Sequence, residues 1–138
     1  MANLADSPFV QLDSTQVAVN APVSTVLWTQ VGVDLNFLKA ALPKAWVSFN
    51  QTGGIGDSTN VSGVSHDGTG FYTVTFTVAI GNANYAIFAT GNDLVETVLI
   101  GGAVDGARLT TSVQVSFKEA GATVRDVTWG SVLIFSNA

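Results

Sequence analysis

His66 is the only histidine of the 138-residue chain, and Asp67 follows it directly. A histidine beside a carboxylate could serve as a general base or as one ligand of a metal ion. Either role needs further convergent groups, and none is evident around this pair. The run Asp67-Gly68-Thr69-Gly70 is typical of a hairpin turn. We therefore interpret His66 as a solvated turn residue and predict no catalytic residue there.

Acidic side chains in or beside predicted loops could bind calcium through their oxygen atoms. These residues are Asp57, Asp67, Asp93, Glu96 and Asp105. None of them falls in the D-x-D-x-D-G spacing of a calcium loop, and the glycines at positions 53–56 lack the pattern of a phosphate-binding loop. A glycan depolymerase would need paired carboxylates on one wall of a cleft, which strand patterning does not provide here. We expect no metal, no cofactor and no enzymatic activity.

Tryptophan side chains could stack on sugars, and the chain has three of them, Trp28, Trp46 and Trp129. Trp46 and Trp129 both fall within alternating strand patterns. That placement favours packing in the core and at interfaces over ligand binding.

The composition is poor in charge. Hydrophobic residues make up 47% of the chain and charged residues 11%, where a soluble domain typically carries about 25% charged residues. Such a surface favours burial against other copies or other proteins. The net charge is −5, and the five basic residues are scattered along the chain. A basic patch for nucleic acid is therefore absent from the sequence, and no apolar run of about 18 residues predicts membrane insertion.

An N-terminal helix is predicted in the segment that ends at Pro43. Asn20 is a favoured N-cap, Pro22 suits the first turn, and Pro43 ends the helix. Apolar residues recur at spacings of three and four along one face. They are Val23, Leu27, Val31, Leu35, Leu38 and Leu42. We predict that this stripe is an oligomer interface, with the helices of several copies gathered near a common axis.

After Pro43 the apolar pattern changes to a period of two, which indicates β-strands. The predicted strands cover residues 45–50, 60–66, 71–78, 85–90, 96–100, 109–117 and 127–135. Turns rich in Gly, Asn and Asp separate them, and residues 101–106 read as a loop. The predicted fold is mainly β, an antiparallel, jelly-roll-like β-sandwich preceded by one α-helix. The predicted organisation is an arm over 1–19, an oligomerisation helix over 20–43 and a β domain over 44–138.

A distinctive segment begins at Lys44. Its elements are Lys44-Ala45-Trp46-Val47, Phe49-Asn50, Asn60-Val61-Ser62, Asp67-Gly68-Thr69-Gly70, Tyr72-Thr73-Val74 and Ala83-Asn84-Tyr85. The segment resembles one that is common in bacteriophage tail-fibre and related virion proteins. Asn20-Ala21-Pro22-Val23-Ser24 and Asn36-Phe37-Leu38 resemble the helical lead-in that precedes it there. Gln51 departs from the pattern, which usually has glycine at that position.

The resemblance implies a β-rich, trimeric component on the exterior of a phage particle, often concerned with host attachment. A tail fibre, a head fibre or spike, and a decoration protein all fit it. As an adhesin, the protein would contact a host-surface glycan or protein through the loops at 51–58, 91–95 and 101–107. As a capsid or tail cement protein, it would stabilise the particle without binding a receptor. Its partners would be other copies of itself and other virion proteins, onto which the arm would dock.

Overall fold

The described part of the chain comes from a computed structural model. It comprises Gly32, Asp34, Leu35, Phe37, Leu38 and residues 41–94, 98–121 and 123–136. The chain divides at Pro43 into two compact units. Among the described residues, no helix is long and apolar enough to cross a membrane.

Little of the N-terminal unit falls within the described residues. The described residues before Leu42 have helical backbone. The Leu42 N–H donates a hydrogen bond to the carbonyl of Leu38 at 3.2 Å. The predicted arm over 1–19 and most of the predicted helix over 20–42 lie outside the described residues. Both therefore stay predictions.

The second unit is built from eight β-strands. They are β1 (Ala45–Asn50), β2 (Ile55–Thr59), β3 (Val61–Gly68), β4 (Phe71–Phe76), β5 (Ala86–Asn92), β6 (Val98–Arg108), β7 (Ser112–Lys118) and β8 (Trp129–Phe135). Strict alternation of buried and partly exposed residues in β1, β7 and β8 shows why the period-two pattern identified them. The prediction of a mainly β, antiparallel domain is confirmed.

All eight strands belong to one sheet with the order β2-β1-β8-β5-β6-β7-β4-β3. Every neighbouring pair is antiparallel. The predicted sandwich would have needed two separate layers, and the described strands instead form one nearly closed, barrel-like sheet. Alternation identifies one buried face in each strand but is the same for a sandwich and for a barrel. The sequence pattern could not separate the two.

Asn60 is the junction at which the two edge strands, β2 and β3, meet. Its φ of 55° turns the chain sharply between them. Its Nδ2 donates to the carbonyls of Lys44 (3.0 Å) and Val78 (3.1 Å), and its Oδ1 accepts from the Val78 N–H (2.8 Å). One side chain thus ties the start of β1 to the end of β4, the strands that pair with the two edge strands.

Aromatic rings fill the centre of the barrel. The ring centroid of Phe49 lies 5.1 Å from that of Tyr72 and 6.1 Å from that of Phe117, while Tyr72 and Phe117 are 5.8 Å apart. Tilted and edge-on geometries of this kind are favourable between aromatic rings. Aliphatic residues of the same inward face complete the core, among them Val47, Val74, Leu99, Val113, Val115, Val132 and Ile134.

The predicted loop over 101–106 is wrong, because these residues belong to β6. The glycines there suggested a turn. Gly101 instead lies where a side chain would collide: a Cβ atom would come within 2.5 Å of Ala89 and 2.9 Å of the Phe117 ring. Glycine is thus used at this position for close packing inside a strand.

The outer surface of β8, β5 and β6 is unusually apolar. Phe88 and Ile100 are 63% and 71% exposed, and Phe88 lies opposite Leu133 in the sheet register. The Phe88 ring packs edge-on against Phe135 at 5.9 Å. We call Phe88, Ile100, Leu133 and Phe135 the apolar face. An exposed apolar surface of this kind usually marks a contact with another molecule.

Candidate functional site

Four chain connections gather at one end of the barrel. Since every pair of neighbouring strands is antiparallel, β1, β3, β5 and β7 run toward the same end and the even-numbered strands start there. The β1–β2, β3–β4, β5–β6 and β7–β8 connections therefore lie together. We call this end the turn end.

Asp126, in the β7–β8 connection, is the centre of a hydrogen-bond network at the turn end. Its Oδ1 accepts the Gly70 N–H at 2.6 Å and lies 2.9 Å from Nε2 of His66. Its Oδ2 accepts from Nε2 of Gln51 at 3.4 Å. Burial alone would raise the pKa of Asp126, but the hydrogen bonds from Gly70, His66 and Gln51 outweigh it and lower the pKa. Asp126 is therefore ionised at neutral pH and joins three parts of the chain.

His66 was predicted to be a turn residue, but it belongs to β3. Its partner is Asp126, 60 positions away in sequence, rather than the adjacent Asp67. The imidazole also stacks on the ring of Tyr72, with centroids 4.9 Å apart and an interplanar angle of 23°. An ionised carboxylate can only accept, so His66 donates through Nε2. His66 is thus an exposed residue at the turn end, held by Asp126 and Tyr72.

The β7–β8 connection is anchored to the barrel on both sides of Asp126. Val127 is fully buried, and its N–H donates to the hydroxyl of Tyr72 at 3.3 Å. The Arg125 N–H donates to the carbonyl of Phe117 at 3.1 Å, and the Thr128 N–H donates to that of Asn92 at 2.7 Å. These hydrogen bonds hold the connection against β4, β5 and β7.

Asp67 forms a second cluster on the outer surface of the sheet. Its Oδ1 accepts from Ser65 at 2.8 Å, and its Oδ2 accepts from Thr73 at 2.5 Å and from Gln114 at 2.9 Å. Burial would raise the pKa of Asp67, but these hydrogen bonds outweigh it and lower the pKa. The carboxylate cross-links β3, β4 and β7.

The pKa is lowered for both Asp67 and Asp126, which suits a structural role as ionised hydrogen-bond acceptors. A general acid at neutral pH needs a raised pKa, and both Asp67 and Asp126 have a lowered one. Within the described ranges, no group of three or more His, Asp and Glu residues could hold a metal ion. The network at the turn end can therefore orient loops and accept hydrogen bonds.

A cleft of about 630 Å³ opens at the turn end beside this network. Its walls come from all four of these connections and combine carboxylates, hydroxyls, one amide and one guanidinium with apolar side chains. The lining residues are Gln51, Thr69, Asp93, Leu94, Thr123, Val124, Arg125, Asp126, Val127 and Thr128. The volume is within the range of small-molecule sites.

Trp129 begins β8 at the edge of this cleft, and it is 49% exposed. The sequence pattern predicted that it packs in the core or at an interface. The register of β8 places Trp129 on the outward side, because the alternate residues Gly130, Val132 and Ile134 are buried. The prediction of core packing is therefore wrong for Trp129 and also for Trp46, which lies on the outward side of β1, while packing at an interface stays a prediction.

Comparison with known proteins gives one structural likeness. No protein-family model and no curated protein sequence match the chain. The fold resembles the crystal structure of the phiAB6 tailspike in complex with three-repeated oligosaccharides of Acinetobacter baumannii surface polysaccharide, with a TM-score of 0.47 and 13% sequence identity. The likeness covers 65% of this chain and 19% of the tailspike chain. The chain thus spans less than a fifth of the tailspike, and its own function has to be argued from its own residues.

The predicted oligomer interface lies in the N-terminal unit. Val23, Leu27 and Val31 are outside the described residues. Leu35, Leu38 and Leu42 are described, and all three side chains are exposed. The stripe stays a prediction.

The three predicted contact loops are only partly loops. Residues 55–58 belong to β2, residues 91 and 92 to β5, and residues 101–107 to β6. The first two ranges do bring Gln51 and Asp93 to the cleft. The β7–β8 connection, with Asp126, was missed because the sequence shows only an isolated Arg-Asp pair there. Only the folded chain brings it to His66 and Gly70.

Proposed function

We propose that the protein is a non-enzymatic structural and adhesive component on the exterior of a bacteriophage virion. In this proposal it works as an oligomer, a homotrimer, and contacts the host surface. The observation that carries the proposal is the apolar face, which is open in the single chain. The resemblance of residues 20–91 to phage fibre segments indicates the kind of assembly.

The residues of the resemblance are mostly framework residues in this fold. Asn50 Oδ1 accepts the Thr52 and Gly54 N–H groups and so closes the β1–β2 turn. Gly70 has a φ of 69°, a conformation that favours glycine. Tyr85 donates to the carbonyl of Leu109 at 2.9 Å. The residues of the resemblance are thus ones that maintain turns and the core. This supports a structural role for the segment.

A second copy of this chain is the occupant we assign to the apolar face. The four residues of the face are all apolar, so contact between two copies buries no charge among them. The exposed Lys118, opposite Ile100 on β7, borders the face. The low charged fraction of the whole chain supports the same conclusion.

The proposal is tested on phage particles that lack the protein. We expect these particles to assemble but to adsorb poorly to host cells, while particles complemented with the wild-type chain adsorb normally. Particles that adsorb normally but release their genome at lower temperature would identify a cement protein instead. Absence of the chain from purified particles would exclude a virion role altogether.

A further inference from the structure

The indole of Trp129 lies along the outer surface of the sheet. Trp129 is on β8 and Gly56 is on β2, with β1 between them. A methyl group at Gly56 would nevertheless lie only 3.2 Å from Cζ3 and 3.6 Å from Cη2 of the indole. Neighbouring strands are about 4.8 Å apart, so a side chain that reaches across β1 must lie along the sheet. Glycine at position 56 leaves room for the ring.

Residues with amide side chains occupy the register positions on both sides of Trp129. Trp129 lies opposite Asn50 on β1 and opposite Asn92 on β5 in the sheet register. The Asn50 Oδ1 is used by the β1–β2 turn, and its Nδ2 has no partner among the described residues. A half-exposed aromatic ring with hydrogen-bonding amides beside it matches a sugar ring, which has an apolar C–H face and a polar rim.

The cleft lies next to Trp129 along the chain, because Thr128 is one of its lining residues. One residue further along the same strands, Gln51, Thr128 and Asp93 line its wall. Thr128 Oγ1 is a buried side-chain oxygen that lacks a hydrogen-bond partner within the described residues. An unpaired buried hydroxyl lowers stability, so it points to a partner that the free protein lacks. Asp126 Oδ2 accepts one long hydrogen bond and retains capacity for another donor.

We propose that Trp129 and the adjoining cleft form a binding site for a neutral oligosaccharide. One sugar ring stacks on the indole, and the next unit extends into the cleft. There its hydroxyl groups donate to the carboxylates of Asp93 and Asp126 and accept from Gln51. This inference rests on the proposed adhesive function and gives it a ligand class and a location.

The charges around the cleft favour a neutral sugar over an acidic one. Asp93 and Asp126 both line the cleft. Arg125 is the basic residue of the lining, and its Nε is paired with Glu119 at 2.7 Å while its Nη1 lies 4.0 Å from Asp93. A uronic or sialic acid would bring a further negative charge next to Asp93 and Asp126. The basic residue of the lining, Arg125, already interacts with Glu119 and Asp93.

The test uses the full chain and saturation-transfer NMR with a panel of neutral trisaccharides and trigalacturonic acid. We expect a neutral member of the panel to bind and trigalacturonic acid to bind more weakly. Trp129→Leu should lower the affinity for the neutral sugar by about tenfold or more, because the stacking surface is lost. Gly56→Val should also lower it, because the added side chain displaces an intact indole.

Trp46→Leu is the matched control. Trp46 is also an outward tryptophan, on β1 opposite Leu133 and away from the cleft, so its loss should leave the affinity within about twofold of wild type. Thermal unfolding of each variant shows whether it is folded. Equal loss of affinity in Trp46→Leu and Trp129→Leu would overturn the site, as would preferred binding of the acidic sugar or no binding of any neutral sugar.

Failure of this site and failure of the proposed function give different results. If no sugar binds but particles lacking the protein still fail to adsorb, the oligosaccharide site is excluded and the adhesive function stands. If a neutral sugar binds through Trp129 but the chain is absent from particles, the site stands and the virion function is excluded.

Discussion

At the residue scale, Asp126 has the most connected side chain at the turn end. One carboxylate holds the β7–β8 connection to the β3–β4 turn through Gly70, to β3 through His66 and to the β1–β2 turn through Gln51. Hydrogen bonds to a charged acceptor contribute more than those to a neutral one. The ionised state of Asp126 is therefore part of the fold.

Neutralising this carboxylate should destabilise the domain in a pH-dependent way. We expect Asp126→Asn to lower the free energy of unfolding by about 2 kcal/mol at pH 7, because a charged acceptor for the Gly70 N–H is lost. The native pKa of Asp126 is depressed below the ordinary 3.8. Its stabilising contribution is therefore present above the pKa of the unfolded chain and is lost as the pH falls through the native pKa.

Urea unfolding at a series of pH values from neutral to strongly acidic measures this effect. The difference between wild type and Asp126→Asn should shrink on acidification below the ordinary carboxyl pKa. Asp105→Asn, a change at an exposed position of β6, is the control and should leave stability unchanged. A difference that stays constant down to low pH would show that the charge of Asp126 is unimportant.

Gly70 should tolerate no side chain. Its φ of 69° disfavours other residues, and a Cβ atom there would lie 2.7 Å from the Arg125 carbonyl oxygen and 2.9 Å from the Arg125 nitrogen. We expect Gly70→Ala to cost about 2–3 kcal/mol. Gly102→Ala, where a Cβ atom meets nothing within 4 Å, should cost less than about 1 kcal/mol. Chemical denaturation of both variants gives the comparison, and equal costs would contradict the steric explanation.

At the scale of the elements, alternation of side chains was a good guide to strands with one buried face. β1, β4 and β7 were predicted within two or three residues of their observed limits. The pattern failed where glycine replaces an inward side chain, as at Gly101, because a strand without side chains to alternate looks like a loop. It also failed to separate an outward tryptophan from a core one, since Trp129 follows the same alternation but on the outer side.

The β2–β3 junction should depend on Asn60 in two separable ways. Asn60→Ala removes the hydrogen bonds to Lys44 and Val78 and also places alanine at positive φ, and we expect a cost of about 2–3 kcal/mol. Asn60→Gly removes the same bonds but relieves the backbone, so it should be more stable than the alanine variant by about 1 kcal/mol. Thermal and urea unfolding of both variants measure the difference. Identical stabilities would mean that the positive φ has no cost.

At the scale of the whole molecule, the apolar face should control self-association. We expect the wild-type chain to sediment as a trimer of the 14.3 kDa protomer. The double variant Phe88→Ser, Ile100→Ser should associate more weakly, so it should dissociate at a higher protein concentration than the wild type. Both side chains are exposed, so unfolding of the isolated protomer should change little. Analytical ultracentrifugation over a range of concentrations measures the shift.

Val78→Ser is the control for this experiment. Val78 is 67% exposed but follows β4, away from the apolar face. Its replacement should leave the association unchanged. If Val78→Ser and the double variant weaken association equally, general hydrophobicity and not this face drives assembly.

The candidate site could be predicted only in fragments. Gln51 and Asp93 fall in loops that the sequence identified, because glycine and asparagine mark turns. Their proximity to Asp126 depends on strand order, and no local pattern encodes strand order. The sequence therefore indicated which connections would be exposed, and only the folded sheet showed which of them share one end.

The position of β8 in the sheet has a consequence for how the chain reaches its native state. β8 is the last strand in sequence, yet it lies between β1 and β5. During translation, β1 and β5 therefore emerge from the ribosome long before their shared neighbour, and each offers an unpaired edge in the meantime. Such long-range pairing slows folding. Neighbouring nascent chains on one messenger RNA could exchange β8. Slow synthesis by well-separated ribosomes should therefore give the smallest fraction of strand-exchanged protein.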